Sequence, residues 1–196
     1  VWYKGEATAG GLRFDPTLRT QPTPAYGAIA PWYHEMVPVD IDGDGDMDLV
    51  TTNHDGTPFE EGTSRVELWT NDGVTGEARF TVSVLATGVG GALFDTADLD
   101  GDGDLDIVLP QYFEDTPLVW LEQTGANGSA WETHVINTTT GRGFAAKVTD
   151  LDGDGGLDVV YTNHNHQLAS DPTEQTMGLY WFRVPPADEI RSLDTW

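Results

Sequence analysis

Short apolar runs recur along this chain, and Gly, Pro, Asp or Thr breaks each one before a helical period can develop. Three of the runs carry a tryptophan: Val66-Glu67-Leu68-Trp69, Leu118-Val119-Trp120-Leu121 and Leu179-Tyr180-Trp181-Phe182. Two are followed by a run that opens on an aromatic, Phe80-Thr81-Val82-Ser83-Val84-Leu85 and Trp131-Glu132-Thr133-His134-Val135-Ile136. Upstream lie Gly-bearing approaches such as Gly90-Gly91-Ala92-Leu93-Phe94 and Gly141-Arg142-Gly143-Phe144-Ala145. β-Branched and aromatic residues in short runs between turn formers read as strands. Four such strands per period of roughly 50 residues is the pattern of a β-propeller blade. The predicted order in each blade is strand A, a polar loop, strand B, the Trp strand C and an edge strand D.

The polar loops carry the strongest signal. Asp40-Ile41-Asp42-Gly43-Asp44-Gly45-Asp46-Met47-Asp48 returns as Asp98-Leu99-Asp100-Gly101-Asp102-Gly103-Asp104-Leu105-Asp106. A third copy is Asp150-Leu151-Asp152-Gly153-Asp154-Gly155-Gly156-Leu157-Asp158. The loops start 58 and then 52 residues apart. Carboxylates at positions 1, 3, 5 and 9 suit a hard cation that takes six to eight oxygens at about 2.3–2.6 Å. The glycines let the backbone wrap an ion where a Cβ would clash. Position 7 varies as Asp46, Asp104 and Gly156, and there a calcium loop takes only a backbone carbonyl. Side-chain oxygen is retained wherever it is needed, so the pattern favours about three Ca²⁺ ions over ordinary solvated Asp/Gly turns. An EF-hand is excluded, because position 12 should be Glu and is Thr51, Leu109 or Tyr161.

Repeated Asp-x-Asp-Gly-Asp-Gly-x-x-Asp loops between strands resemble the FG-GAP/VCBS repeats of integrin-type calcium propellers, from about Val1 to Phe182. The resemblance implies an all-β chain of propeller blades, each of four antiparallel strands with its calcium loop between strands A and B. Three to four blades' worth are expected: residues 1–25 end one blade, 26–86 and 87–138 are whole blades, and 139–196 are an incomplete one. Trp2 would take the place of Trp69, Trp120 and Trp181, and Trp196 would open a fourth strand. The expectation is a segment of a larger propeller, completed by more chain or by self-assembly. Its four tryptophans are expected in the core between blades.

The formal net charge of −24 would suit a disordered acidic chain, yet 38% hydrophobic residues and seven Trp argue for a folded one. Bound calcium would offset much of that charge. Acidity on this scale argues against nucleic acid or anionic membrane as partners. With no cysteine, disulfide and thiol chemistry are excluded. No apolar run of membrane-spanning length and no signal peptide at Val1 is visible. Modest-affinity carboxylate sites suit extracellular calcium, and the sequons at Asn127 and Asn137 permit glycosylation. An extracellular, secreted or cell-surface, place is expected.

The rim opposite the Asp loops should gather Trp32, Tyr33, His34, His54, Tyr112, Arg142, His164 and His166. Aromatic rings with amides and imidazoles suit a sugar, which stacks its C–H face and hydrogen-bonds its hydroxyls. Asn53-His54 and Asn163-His164 repeat one another, which fits a structural turn better than a second metal site. No nucleophile elbow, phosphate loop or dinucleotide fingerprint is present, so no catalytic residue is assigned. The favoured function is a non-enzymatic, calcium-stabilised propeller that binds glycan or extracellular protein, as in cell adhesion. The alternatives are the propeller of a carbohydrate-active lyase or dehydratase, and a structural subunit of a matrix or filament.

Overall fold

A computed structural model describes residues 5–8, 11–14, 31–54, 63–71, 79–114, 116–163 and 178–196, the first two stretches for their backbone alone. Within them the apolar runs pair antiparallel in three successive sheets. The first is β3 (Trp32–Val39), β4 (Asp48–His54), β5 (Ser64–Asn71) and β6 (Phe80–Thr87), hydrogen-bonded in chain order. The second repeats this with β7 (Asp95–Ala97), β8 (Asp106–Pro110), β9 (Leu118–Gly125) and β10 (Ala130–Asn137). The third has β11 (Gly143–Thr149), β12 (Asp158–Asn163) and β13 (Leu179–Arg183). A separate hairpin joins β1 (Gly5–Thr8) to β2 (Gly11–Phe14). The chain is all-β, and its three sheets are blade-like. In each, an Asp loop links the first strand to the second.

Side chains alternate across a strand, so each sheet has two faces to cover. The second sheet covers both. Ile107, Leu109, Val119 and Leu121 pack with Ile41, Val50, Val66 and Leu68 of the first sheet and its loop. Val108, Leu118 and Trp120 point the other way and pack with Val159 and Tyr161 of the third sheet. Every residue of β8 is buried, which explains why its sequence is apolar on consecutive positions rather than alternating. Backbone bonds stitch neighbouring sheets as well. Leu93 N–H donates to Phe144 O, and Ala146 N–H to Leu93 O, at 3.0 Å each. Carboxylates repeat the device: Glu35 accepts from Phe94 N–H, and Asp95 accepts from Val148 N–H at 2.9 Å.

Two expectations are corrected here. The three Trp strands do not align on their tryptophans. Trp69 lies opposite Leu49, one residue past the last loop Asp, whereas Trp120 and Trp181 lie opposite Val108 and Val160, two residues past it. Leu68 is therefore the structural counterpart of Trp120, and Trp69 faces the other side of its sheet. Trp69 and Trp120 are buried, but Trp181 is 47% exposed and is not a core residue. Secondly, Trp196 opens no fourth strand. Pro185 and Pro186 lack the N–H groups a ladder needs. Residues 185–196 instead turn back through a 3₁₀ turn (Ile190–Ser192). Ile190 enters the core, and Trp196 N–H bonds Ile136 O at 2.9 Å with its ring 6.4 Å from Trp120. Trp2 lies outside the described residues.

Candidate functional site

The Asp loops fold by hydrogen-bonding their own carboxylates. In the first, Asp40 Oδ2 accepts from Gly45 N–H at 3.1 Å, Asp42 Oδ1 from Asp44 N–H at 3.2 Å, and Asp44 Oδ1 from Asp46 N–H at 2.8 Å. The same three bonds recur with Asp98, Asp100 and Asp102, and with Asp150, Asp152 and Asp154. The last Asp of each loop has a second task. Asp48 receives Ile41 N–H on one oxygen and Asn71 N–H on the other, pinning the loop to β5. Asp106 does likewise with Leu99 N–H and Gln123 N–H, each at 3.0 Å. Asp158 takes Leu151 N–H at 2.9 Å. Gly43 and Gly45 make the turn at φ +73° and +96°, a region that other residues enter only with strain.

This folding brings carboxylate oxygens together within each loop. Asp40, Asp42 and Asp48 converge to within 4.8 Å, as do Asp98, Asp100 and Asp106, and Asp150, Asp152 and Asp158. Positions 1, 3 and 9 thus meet, while Asp44, Asp102 and Asp154 fall outside these groupings. Asp46, Asp104 and Gly156 spend their N–H groups on the turn and face no special demand on their side chains. Asp40 Oδ1 is buried without a hydrogen-bond partner among the described residues. A buried oxygen without a donor, in a ring of carboxylates, has the chemistry of a cation ligand. The three loops can hold metal ions. Arginine lies against two of them: Arg183 pairs with Asp152 and Asp154, and Arg191 with Asp100 and Asp102.

Burial raises Asp106 to about 7, the hydrogen bonds from Gln123 and Leu99 pulling the other way. Burial likewise raises Asp48, whereas Asp158 is lowered, chiefly by a hydrogen bond from Trp181. For Asp106 the folded value lies above the unfolded 3.8, so in the metal-free chain its contribution to stability is lost as pH rises towards 7. A bound cation needs the ionised form. The melting-temperature gain from calcium over EGTA should therefore shrink between about pH 8 and pH 6. A gain that grows on acidification would contradict this assignment.

The loops also locate the chain among known families. A family model described as FG-GAP-like repeat matches residues 40–109, from the first Asp loop through the second and into β8. That stretch is FG-GAP-like repeat sequence. No curated protein matches the chain. The FG-GAP-like match takes in two of the three loops, and the third repeats the three turn bonds those two share.

At the opposite ends of the sheets from the Asp loops, aromatic rings form a row. Trp32 meets His54 edge-on at 5.3 Å, and His34 stacks on His54 at 4.8 Å. Phe113 packs on both imidazoles, Tyr112 on Phe113 at 4.9 Å, and Phe144 on Tyr112 at 6.1 Å. Arg142 donates to Tyr112 O at 3.1 Å. Phe113, expected on this rim with Tyr112, and Phe144, which was not, join residues from three sheets into one strip. Nε2 of His34 lies 2.7 Å from Nδ1 of His54, so one ring donates and the other accepts. Burial, then the neighbouring His54, lowers the His34 pKa. Tyr33 does not join the row: it reaches the other face, where its hydroxyl donates to Glu67 at 3.1 Å. His164 and His166 lie outside the described residues. Of the two sequons, Asn127 is exposed, and Asn137 already accepts from Thr139 and Thr140 N–H.

The third loop offers a direct check on which atoms bind metal. The φ of Gly156 is not in the left-handed region, and a Cβ there would meet only the flexible end of Asp154 at 3.1 Å. Gly156→Asp should leave the calcium stoichiometry at three, whereas Asp152→Ala should remove one ion. Gain of an ion in Gly156→Asp by calorimetric titration would show that position 7 binds through its side chain.

Proposed function

We propose that the chain is a calcium-stabilised, non-enzymatic domain of an extracellular propeller, and that it binds carbohydrate along its aromatic rim. The FG-GAP-like repeat at residues 40–109 and the blade-like sheets support reading it as a β-propeller-type domain. The calcium reading rests on one observation above all: three independent copies of a carboxylate ring whose hydrogen bonds fix its shape and leave oxygens directed at each other. Calcium would be held by Asp40, Asp42 and Asp48 and their counterparts in the other loops, with further oxygens from position 5 and the position 7 carbonyl. Bound there, it supplies charge neutralisation and crosslinks the loop to the strands it joins. Among the described residues no helix is long and apolar enough to cross a membrane.

Support for carbohydrate comes from the exposed ends of the ring row, Trp32 at 55% and Phe144 at 45%. Exposed rings on a rigid sheet edge offer stacking at little entropic cost, and the neighbouring imidazoles and Arg142 offer polar contacts. A glycan array on the calcium-loaded chain tests this reading. Trp32→Ala and Tyr112→Ala should each weaken any glycan detected by about tenfold, the value of about 1.4 kcal/mol of lost stacking. Full binding by both variants would move the site off this rim.

A further inference from the structure

One cluster of metal-ligating side chains belongs to neither the Asp loops nor the aromatic rim. Glu122 on β9 lies directly opposite Glu132 on β10, and His134 follows two residues along on the same face. One donor atom from each of the three comes within 4.8 Å of the others. Two carboxylates directly opposite one another repel.

We propose that Glu122, Glu132 and His134 form a binding site for a divalent transition-metal ion of the zinc class, distinct from the calcium loops. The donor set decides the class: an imidazole nitrogen with two carboxylate oxygens suits zinc and its neighbours, whereas calcium takes oxygen alone. Nε2 of His134 and Oε2 of Glu122 are the inner donors, now 2.7 Å apart. Bonds of about 2.0–2.1 Å to a tetrahedral ion would open that separation to ~3.3 Å, a shift within side-chain reach. Three protein ligands leave a fourth position for water.

The surroundings hold these donors as outer-sphere partners hold metal ligands. Trp120, fully buried, stacks on the His134 ring at 4.6 Å and 22° and fixes its plane. Arg191 Nε donates to Glu122 Oε1 at 2.5 Å, leaving Oε2 turned to the histidine. The same guanidinium reaches Asp100 and Asp102, so one cation serves three carboxylates there while Glu132 adds a fourth. A divalent ion at Glu122, Glu132 and His134 would offset the excess. The first sheet shows that the cluster is no demand of the blade: the matching rungs are Thr70 with Thr81 and Leu68 with Ser83, which offer no carboxylate or imidazole.

The test is titration of the chain with Zn²⁺ in millimolar calcium, so that the Asp loops are occupied, with Co²⁺ as a spectroscopic stand-in. One equivalent of zinc should bind, and Co²⁺ should give the visible bands of a four- or five-coordinate site. Glu132→Gln, at an exposed position, and His134→Gln should each weaken zinc by about tenfold or more while melting as the parent does in zinc-free buffer. Calcium stoichiometry should stay unchanged in both, which separates this site from the loops. Absence of zinc binding by the parent, or undiminished binding by either variant, would overturn the proposal and leave an ion pair only.

Discussion

Removing calcium with EGTA should lower the melting temperature of this chain by far more than any surface substitution does. In each loop three carboxylates lie within 4.8 Å of one another. Like charges about 4 Å apart repel by roughly 1 kcal/mol in water, and by several times that where water is partly excluded. An ion that binds only the folded state adds about 2.7 kcal/mol per site at a hundredfold excess over its Kd. Three sites at that level rival the whole stability of an ordinary domain. Asp106→Ala should reproduce the largest share of the loss at a single loop. Asp106 is 1% exposed, and its removal would also strand the buried N–H groups of Leu99 and Gln123, at about 1–3 kcal/mol each. Asp46→Ala should do almost nothing, since its side chain holds no part of the loop. Melting curves of the parent and both variants, with calcium and with EGTA, check this. A melting temperature indifferent to EGTA would remove the structural role of calcium.

Trp120→Ala should cost about 3–5 kcal/mol, the range for an emptied buried indole, while Trp181→Ala should cost under about 1 kcal/mol. The two residues occupy matching rungs, so the contrast isolates what covers them. Trp120 is enclosed by Val108, Leu118, Ile136 and Trp196, whereas Trp181 is 47% exposed, beside an exposed Leu179. Urea unfolding of both variants gives the comparison directly. Equal losses would mean that the open face of the third sheet is covered in solution.

Much of this was legible from residues, and the reasons for the remainder are physical. The Asp loops declare themselves because a cation site fixes residue type at fixed spacing within one short segment. Strand B is legible for a related reason: β8 is buried on both faces and is apolar from Ile107 to Pro110. The tryptophan register was not legible. A strand shifted by one residue presents the opposite face, and nothing in Leu68-Trp69 against Trp120-Leu121 says which of the pair meets the neighbouring sheet. The pairing across β4 and β8 decides it. The proposed zinc site was hidden differently. Glu132-Thr133-His134 shows the alternation of a one-faced strand, but Glu122 arrives from the next strand and Arg191 from far along the chain. The return of residues 185–196 was signalled by Pro185-Pro186, although their destination against Trp120 was not.

The double coverage of the second sheet has a dynamic counterpart. A row of sheets, each leaning on its neighbours, behaves as a chain of coupled units in which the flanked member is the last to let go. The outer units can loosen singly, losing one shared face at a time. The middle one opens only when both faces separate, so its amide hydrogens at Ile107, Val108 and Leu109 should exchange with solvent through the rarest opening among the described sheets. In that sense the segment between the second Asp loop and Pro110 is the timekeeper of the domain.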